Sequence, residues 1–125
     1  MDEIHTRKVL REHAGLQGEI LQEIAEALGN TGERLERAME RLQESRGLIE
    51  ELRRTLATVP KGDPPRELVA RYKEEVELHN RLREDALRCL RHLIIHREAV
   101  GFRNHRLVQE KYQIPAAIKI SEPWP

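Results

Sequence analysis

At 125 residues the chain has the length of one domain, and its 22 basic groups balance 22 acidic ones, so no net field draws it to nucleic acid or to an anionic membrane. Charged residues make up 35% and aromatics only 3%, which excludes a broad aromatic-filled core and favours helices packed along narrow stripes of Leu, Ile, Val and Ala. Met1-Asp2-Glu3-Ile4-His5 is not an apolar leader, no run approaches the roughly 20 apolar residues of a membrane span, and the single Cys89 forms no intrachain disulfide, so a cytoplasmic protein is expected.

From Leu10 onward apolar residues recur at steps of three and four. Leu21, Leu28, Leu35, Leu42, Ile49 and Leu56 hold one heptad position; Ile24, Thr31, Ala38, Ser45, Leu52 and Val59 hold the other, with small side chains in its middle. Gly29-Asn30-Thr31-Gly32 offers a stop and a restart, with Asn30 as a cap. The heptad phase nevertheless holds across it, so the spacing predicts a single helix over about 4–58, weakened or kinked at the glycines.

Pro60, Gly62, Asp63, Pro64 and Pro65 then punctuate the chain, predicting a bend over about 59–64 with Asp63 as N-cap and Pro64 as the first helical residue. The second helix is expected over about 65–112, its pattern fading after Gly101-Phe102 or running on to about Tyr112, with a seam formed by Val69, Tyr72, Val76, His79, Leu82, Ala86, Cys89 or Leu90, Leu93, His96 and Val100. Glu33/Arg37, Glu50/Arg54, Glu77/Arg81 and Glu84/Arg88 are i,i+4 pairs with the acid first, which support helix. Residues 113–125 read as an extended Pro-containing tail, apolar enough through Ile114, Ile118, Ile120 and Trp124 to dock on its own hairpin or on a partner. The fold class is therefore all-α: a long antiparallel helical hairpin or coiled coil, able to complete a bundle by self-association or by binding a partner helix.

Between Ala86 and Ile95 apolar residues run most of the way round the second helix, so it wants more than one neighbour. Leu87, Leu90, Ile94 and Ile95, which the seam does not need, are the candidate partner contacts, with Ile118 and Trp124 added from the tail. Asp85, Cys89, His92 and His96 fall within an arc of about 60° at 100° per residue, and His92/His96 has the spacing of a zinc pair. One helix face rarely wraps four ligands round an ion and no Cys-x-x-Cys accompanies them, so interface residues rather than a metal site are expected, and no cofactor. His79 is expected on the seam, hydrogen-bonded across it and open to a pH-sensitive packing. No Ser-His-Asp or Cys-His arrangement, Gly-rich phosphate loop or Gly-x-Ser-x-Gly elbow is present, so the reading is non-enzymatic. Arg81, Arg83, Arg88, Arg91, Arg97, Arg103, Arg106 and Lys111 form a basic run; its arginines point several ways and aromatics for stacking are few, so pairing with a net acidic first helix is expected rather than nucleic-acid binding.

The segment Leu78-His79-Asn80-Arg81-Leu82-Arg83-Glu84-Asp85-Ala86-Leu87-Arg88-Cys89-Leu90-Arg91-His92-Leu93 resembles FlgN-type flagellar export chaperones in its Asn-containing turn followed by leucines five apart, as the chain does in size. The resemblance covers about 20 residues. It implies a chaperone that pairs with the terminal helix of a secreted subunit; the family's second Asn, followed by Gly, is missing here. The function expected is a helical protein-interaction module: adaptor, assembly factor or export chaperone. Its partner is another protein helix or its own copy in a homodimer. The alternatives are a structural homo-oligomeric coiled-coil subunit and a metal-binding helical-bundle protein.

Overall fold

The computed structural model describes residues 3–60 and 62–120, with side chains described at residue 12 and from residue 15 onward. It is an antiparallel hairpin of two long helices, α1 (Glu3–Ala57) and α2 (Arg66–Ala99), followed by a short α3 (Arg106–Lys111) and an extended tail. α1 runs unbroken through Gly29–Gly32 for 55 residues. Thr31 Oγ1 donates to the Ala27 carbonyl at 2.8 Å, a bond to its own preceding turn rather than a cap for a new helix.

Helix pairing follows the heptad. Leu35, Leu42, Ile49 and Leu56 are buried against Tyr72, Val76, His79, Ala86 and Leu93 of α2. Where the second heptad position is small, polar side chains fill the space instead: buried Ser45 donates to Glu75 Oε1 at 3.0 Å. Arg53 Nε donates to the hydroxyl of buried Tyr72 at 3.2 Å. The core is densest near the bend, where Ile49, Leu56, Tyr72 and Val76 gather Leu52, Leu68, Val69 and the tail residue Ile118. His79 is fully buried, but it is not bonded across the seam. Its Nδ1 lies 3.3 Å from Oδ1 of neighbouring Asn80, and Nε2 has no hydrogen-bond partner among the described residues.

Two ends depart from the sequence expectation. α2 starts at Arg66, with Pro65 in the N-cap position and no side-chain cap, so Asp63 does not cap it. The physical reason is the Pro-Pro pair: a residue before proline is pushed out of the helical region, and Pro65 therefore denies Pro64 a helical conformation. α2 also stops at Ala99 instead of continuing to Tyr112. Gly101, at φ +98°, donates to the Glu98 carbonyl at 3.0 Å, and Phe102 N donates to the Arg97 carbonyl at 3.0 Å. This paired arrangement round a left-handed glycine is the Schellman stop, closed by the Arg97 guanidinium lying 4.6 Å from the centre of the Phe102 ring.

The stop turns the chain back toward the bend. α3 follows, and Tyr112 Oη donates to Glu36 Oε1 at 3.1 Å, with Lys111 Nζ 3.5 Å from the same oxygen. Tyr112 first, and Glu36 after it, raise the Lys111 ammonium pKa above its ordinary value. The tail then lies in one groove of the hairpin. Arg83 Nε donates to the Pro115 carbonyl at 2.8 Å, and Asn80 grips the Ile118 main chain at two points, accepting from its N–H at 2.9 Å and donating to its carbonyl at 3.0 Å.

A free edge on the first helix

At 1.5 Å per residue, α1 spans about 82 Å and α2 about 51 Å. The bond between Thr31 Oγ1 and His96 Nδ1, 3.0 Å long, marks where α2 comes to its end beside α1. Residues of α1 well before Thr31 have no second helix packed along them among the described elements, since α2 is the helix packed along α1 and α3 meets it only farther toward the bend, at Glu36. The apolar edge does not stop there. Leu21 holds the same heptad position as Leu42 but is 56% exposed against 1%, and Leu16 and Ile20 are exposed beside it. Ile24, Ala27 and Leu28 are half-buried, a gradation from the seam into open helix. At 100° per residue, Leu16, Ala27, Ile20, Ile24, Leu28 and Leu21 fall within an arc of about 140°.

Charge is distributed along α1 as unevenly as cover. Residues 12–33 hold Glu12, Glu19, Glu23, Glu26 and Glu33 with no Lys, Arg or Asp, whereas residues 34–57 hold six Arg against five Glu. The acidity expected to face the basic run of α2 thus lies mostly on the edge that α2 does not reach. The stretch that α2 does reach is near neutral, so pairing between the two helices does not account for the arginines. Among the described residues, Arg88 pairs with Asp85 at 3.3 Å, Arg83 with Glu84 at 2.9 Å and Arg106 with Glu110 at 2.9 Å, all local to their own segment.

The candidate contacts taken from the sequence are separated by the fold. Ile95 is exposed at 59%, but Leu87, Leu90 and Ile94 are half-buried. Leu87 and Ile94 fall with Asn80 and Arg83 within an arc of about 60° on the flank that carries the returning tail. Ile118 is committed to the hairpin's own core cluster, and Trp124 lies outside the described residues. Asp85, Cys89, His92 and His96 are not brought together as a site. Asp85 pairs with Arg88 and His96 with Thr31, Cys89 is half-buried, and His92 is exposed. Among the described residues no group of three or more His, Cys, Asp or Glu is placed to hold a metal ion. No described helix is long and apolar enough to cross a membrane.

Leu16, Ile20 and Leu21 are not among the contacts that the sequence pattern singles out. A signal for them exists: the interval from Arg11 to Arg34 without a basic residue marks the segment whose charges are not matched within the hairpin. Comparison of the chain with protein-family models, with curated proteins and with solved structures found no match.

Proposed function

We propose that this chain is a non-enzymatic protein-interaction module that takes a partner helix along the free edge of α1. The observation that carries the reading is Leu21. It continues the heptad that half-buries Leu28 and fully buries Leu35 and Leu42, yet it stands in water with Leu16 and Ile20 on the same face. Exposed leucines scattered singly need no explanation, but a register-matched stripe that outruns its intramolecular partner is the edge a second helix would cover. A binding rather than a catalytic role is supported by the placement of His79, Cys89, His92 and His96, which lie along a rod instead of converging on a cleft. An adaptor, an assembly factor and the export chaperone implied by the resemblance would all work through such an edge.

The test places a photo-crosslinking side chain at Ile20, and for comparison at Thr55 on the exposed back of α1, in the cells that make the protein. Adducts to a second polypeptide are expected from position 20 and not from 55, and they should vanish when Leu16 and Leu21 are both changed to Asp. Equal yields from the two positions, or none from position 20, would refute the reading.

A further inference from the structure

The tail is held the way a bound peptide is held. Asn80 pairs one side-chain amide with both main-chain polar groups of Ile118, at 2.9 and 3.0 Å, and Arg83 Nε donates to the Pro115 carbonyl at 2.8 Å. Contacts to main chain accept many sequences, so selection falls to the few side chains that enter the groove. Tyr112, Pro115 and Ile118 are half-buried at steps of three, the repeat of a polyproline II helix, and of the other residues between 112 and 120 only Ile114 is half-buried. Buried His79 sets its Nδ1 3.3 Å from the Asn80 oxygen and steadies the clamp from beneath, so the grip is preorganised.

The occupant is smaller than the groove. Where the tail presents Ala116 and Ala117, both exposed, a half-open cavity of about 370 Å³ separates it from α1. Residues 115–119 form one wall, and Arg46, Glu50 and Arg53 stand round Ile49 on the other. With Lys119 the lining carries three cations against Glu50 alone. Arg46 has no hydrogen bond or ion pair among the described residues, and Arg53 donates to the Tyr72 hydroxyl but meets no carboxylate. The two guanidinium-bearing residues are seven apart, about 10 Å along the helix, which is the length of three polyproline II residues. Carboxylates on the segment that runs past them would find charge-assisted partners on both. The tail can also leave without undoing the hairpin, because it adds only Ile118 to the core cluster and follows the stop at Gly101 as a separate arm.

We infer that this groove is a receptor site for an extended segment of another protein, one with a proline, a branched aliphatic residue three positions on, and acidic residues between them. The chain's own tail occupies the site as a weaker internal competitor. The site is separate from the free edge of α1 and does not depend on it.

The test uses the full purified chain and two fluorescently labelled peptides, one copying residues 112–120 and one differing from it by glutamate in place of Ala116 and Ala117. Fluorescence anisotropy should show the glutamate peptide binding about tenfold more tightly than the copy, two guanidinium–carboxylate pairs being added. Arg46→Glu in the chain should cancel that preference. Ile118→Asp in the chain expels the internal competitor and should tighten both peptides roughly tenfold, with helix content unchanged by circular dichroism. Binding of the glutamate peptide to the wild type should also speed amide exchange at Ile118 as the tail is displaced, a readout that decides alone should Ile118→Asp lose helix. No binding by the glutamate peptide, binding that leaves exchange at Ile118 unchanged, or a preference that survives Arg46→Glu each overturns the inference. Tighter binding of the copy than of the glutamate peptide would overturn it too, and would assign the groove to exchange of tails between two copies of the chain.

Discussion

Leu42 and Leu21 sit three heptads apart on one helix, at the same position of the repeat, and meet opposite fates: one is sealed under α2 and the other faces solvent. A heptad tells which face of a helix demands cover; it does not tell whether the chain has enough length to supply that cover. Here the length is spent elsewhere. The Schellman stop at Gly101 ends α2 after 34 residues, and the remaining chain folds back into the groove toward the bend instead of climbing farther up α1. The bend half of the rod thereby becomes a three-part structure of α1, α2 and tail, while the other half is left as a single helix. A single helix of this kind is held by its backbone bonds and its continuity with the paired half, because isolated helices are marginal in water.

The difference is largest under core truncation. Leu42→Ala removes a side chain that is 1% exposed at the middle of the seam, and should cost roughly 2–5 kcal/mol of unfolding free energy in urea, through lost burial and the cavity left behind. A cost below about 1 kcal/mol would mean the seam is loose enough to collapse round the gap. Smaller, and confined to the third element, is the effect of Asn80→Ala. Losing both bonds to the Ile118 main chain should cost about 1–3 kcal/mol and should speed amide exchange at Ile118, with helix content unchanged. If exchange at Ile118 did not change, the tail would be held by the packing of Ile118 on the core cluster and by the Arg83–Pro115 bond, without Asn80.

Leu42 and Asn80 also mark how far the amino-acid sequence alone reaches. Leu42 is legible because helix periodicity and apolarity coincide there, and the same logic identifies Tyr72, Val76, His79, Ala86 and Leu93 as the facing seam. The continuity of α1 through Gly29–Gly32 is legible from phase alone. What stays hidden depends on contacts between distant or competing groups. The helix stop at Ala99 is only half legible: Gly101 offers it, but the 3.6-residue pattern carries on through Val100, and the stop is made by the backbone bonds of Gly101 and Phe102 with Arg97 closing over the Phe102 ring. The grip of Asn80 on Ile118 joins residues 38 apart in sequence, and nothing in either segment announces the other. Leu87 and Ile94 look surplus in the helix pattern because the returning tail, which lies along their flank, leaves no mark on that pattern. Charge summed over a whole helix blurs the acidic stretch 12–33, since Arg7, Lys8 and Arg11 before it and the near-neutral stretch after it dilute its five glutamates.

The junction between the two halves gives a smaller effect of opposite sign. Gly29 and Gly32 lie inside α1 with nothing within 4 Å of where a Cβ would stand. Gly29→Ala and Gly32→Ala should therefore each stabilise the chain by about 0.5–1 kcal/mol, by lowering the backbone entropy lost on folding. The gain should appear as a higher denaturant midpoint and slower amide exchange around residue 29. Destabilisation by either change would show that α1 bends at this point and uses the glycines to do so.

Smallest of all should be Leu21→Ala measured on the folding of the monomer. Alanine is the better helix former and the leucine is more than half exposed, so the two terms nearly cancel and the change should stay within about 0.5 kcal/mol. Set beside Leu42→Ala, this pair of substitutions at one heptad position measures directly what cover contributes, because chemistry, helix and register are the same and only the neighbour differs. The comparison sharpens with concentration. Under conditions where a second helix occupies the edge, Leu21→Ala should begin to cost stability and Leu42→Ala should cost no more than before. Should Leu21→Ala be as damaging as Leu42→Ala at every dilution, its side chain would already be buried within the single chain, and the free edge would not exist.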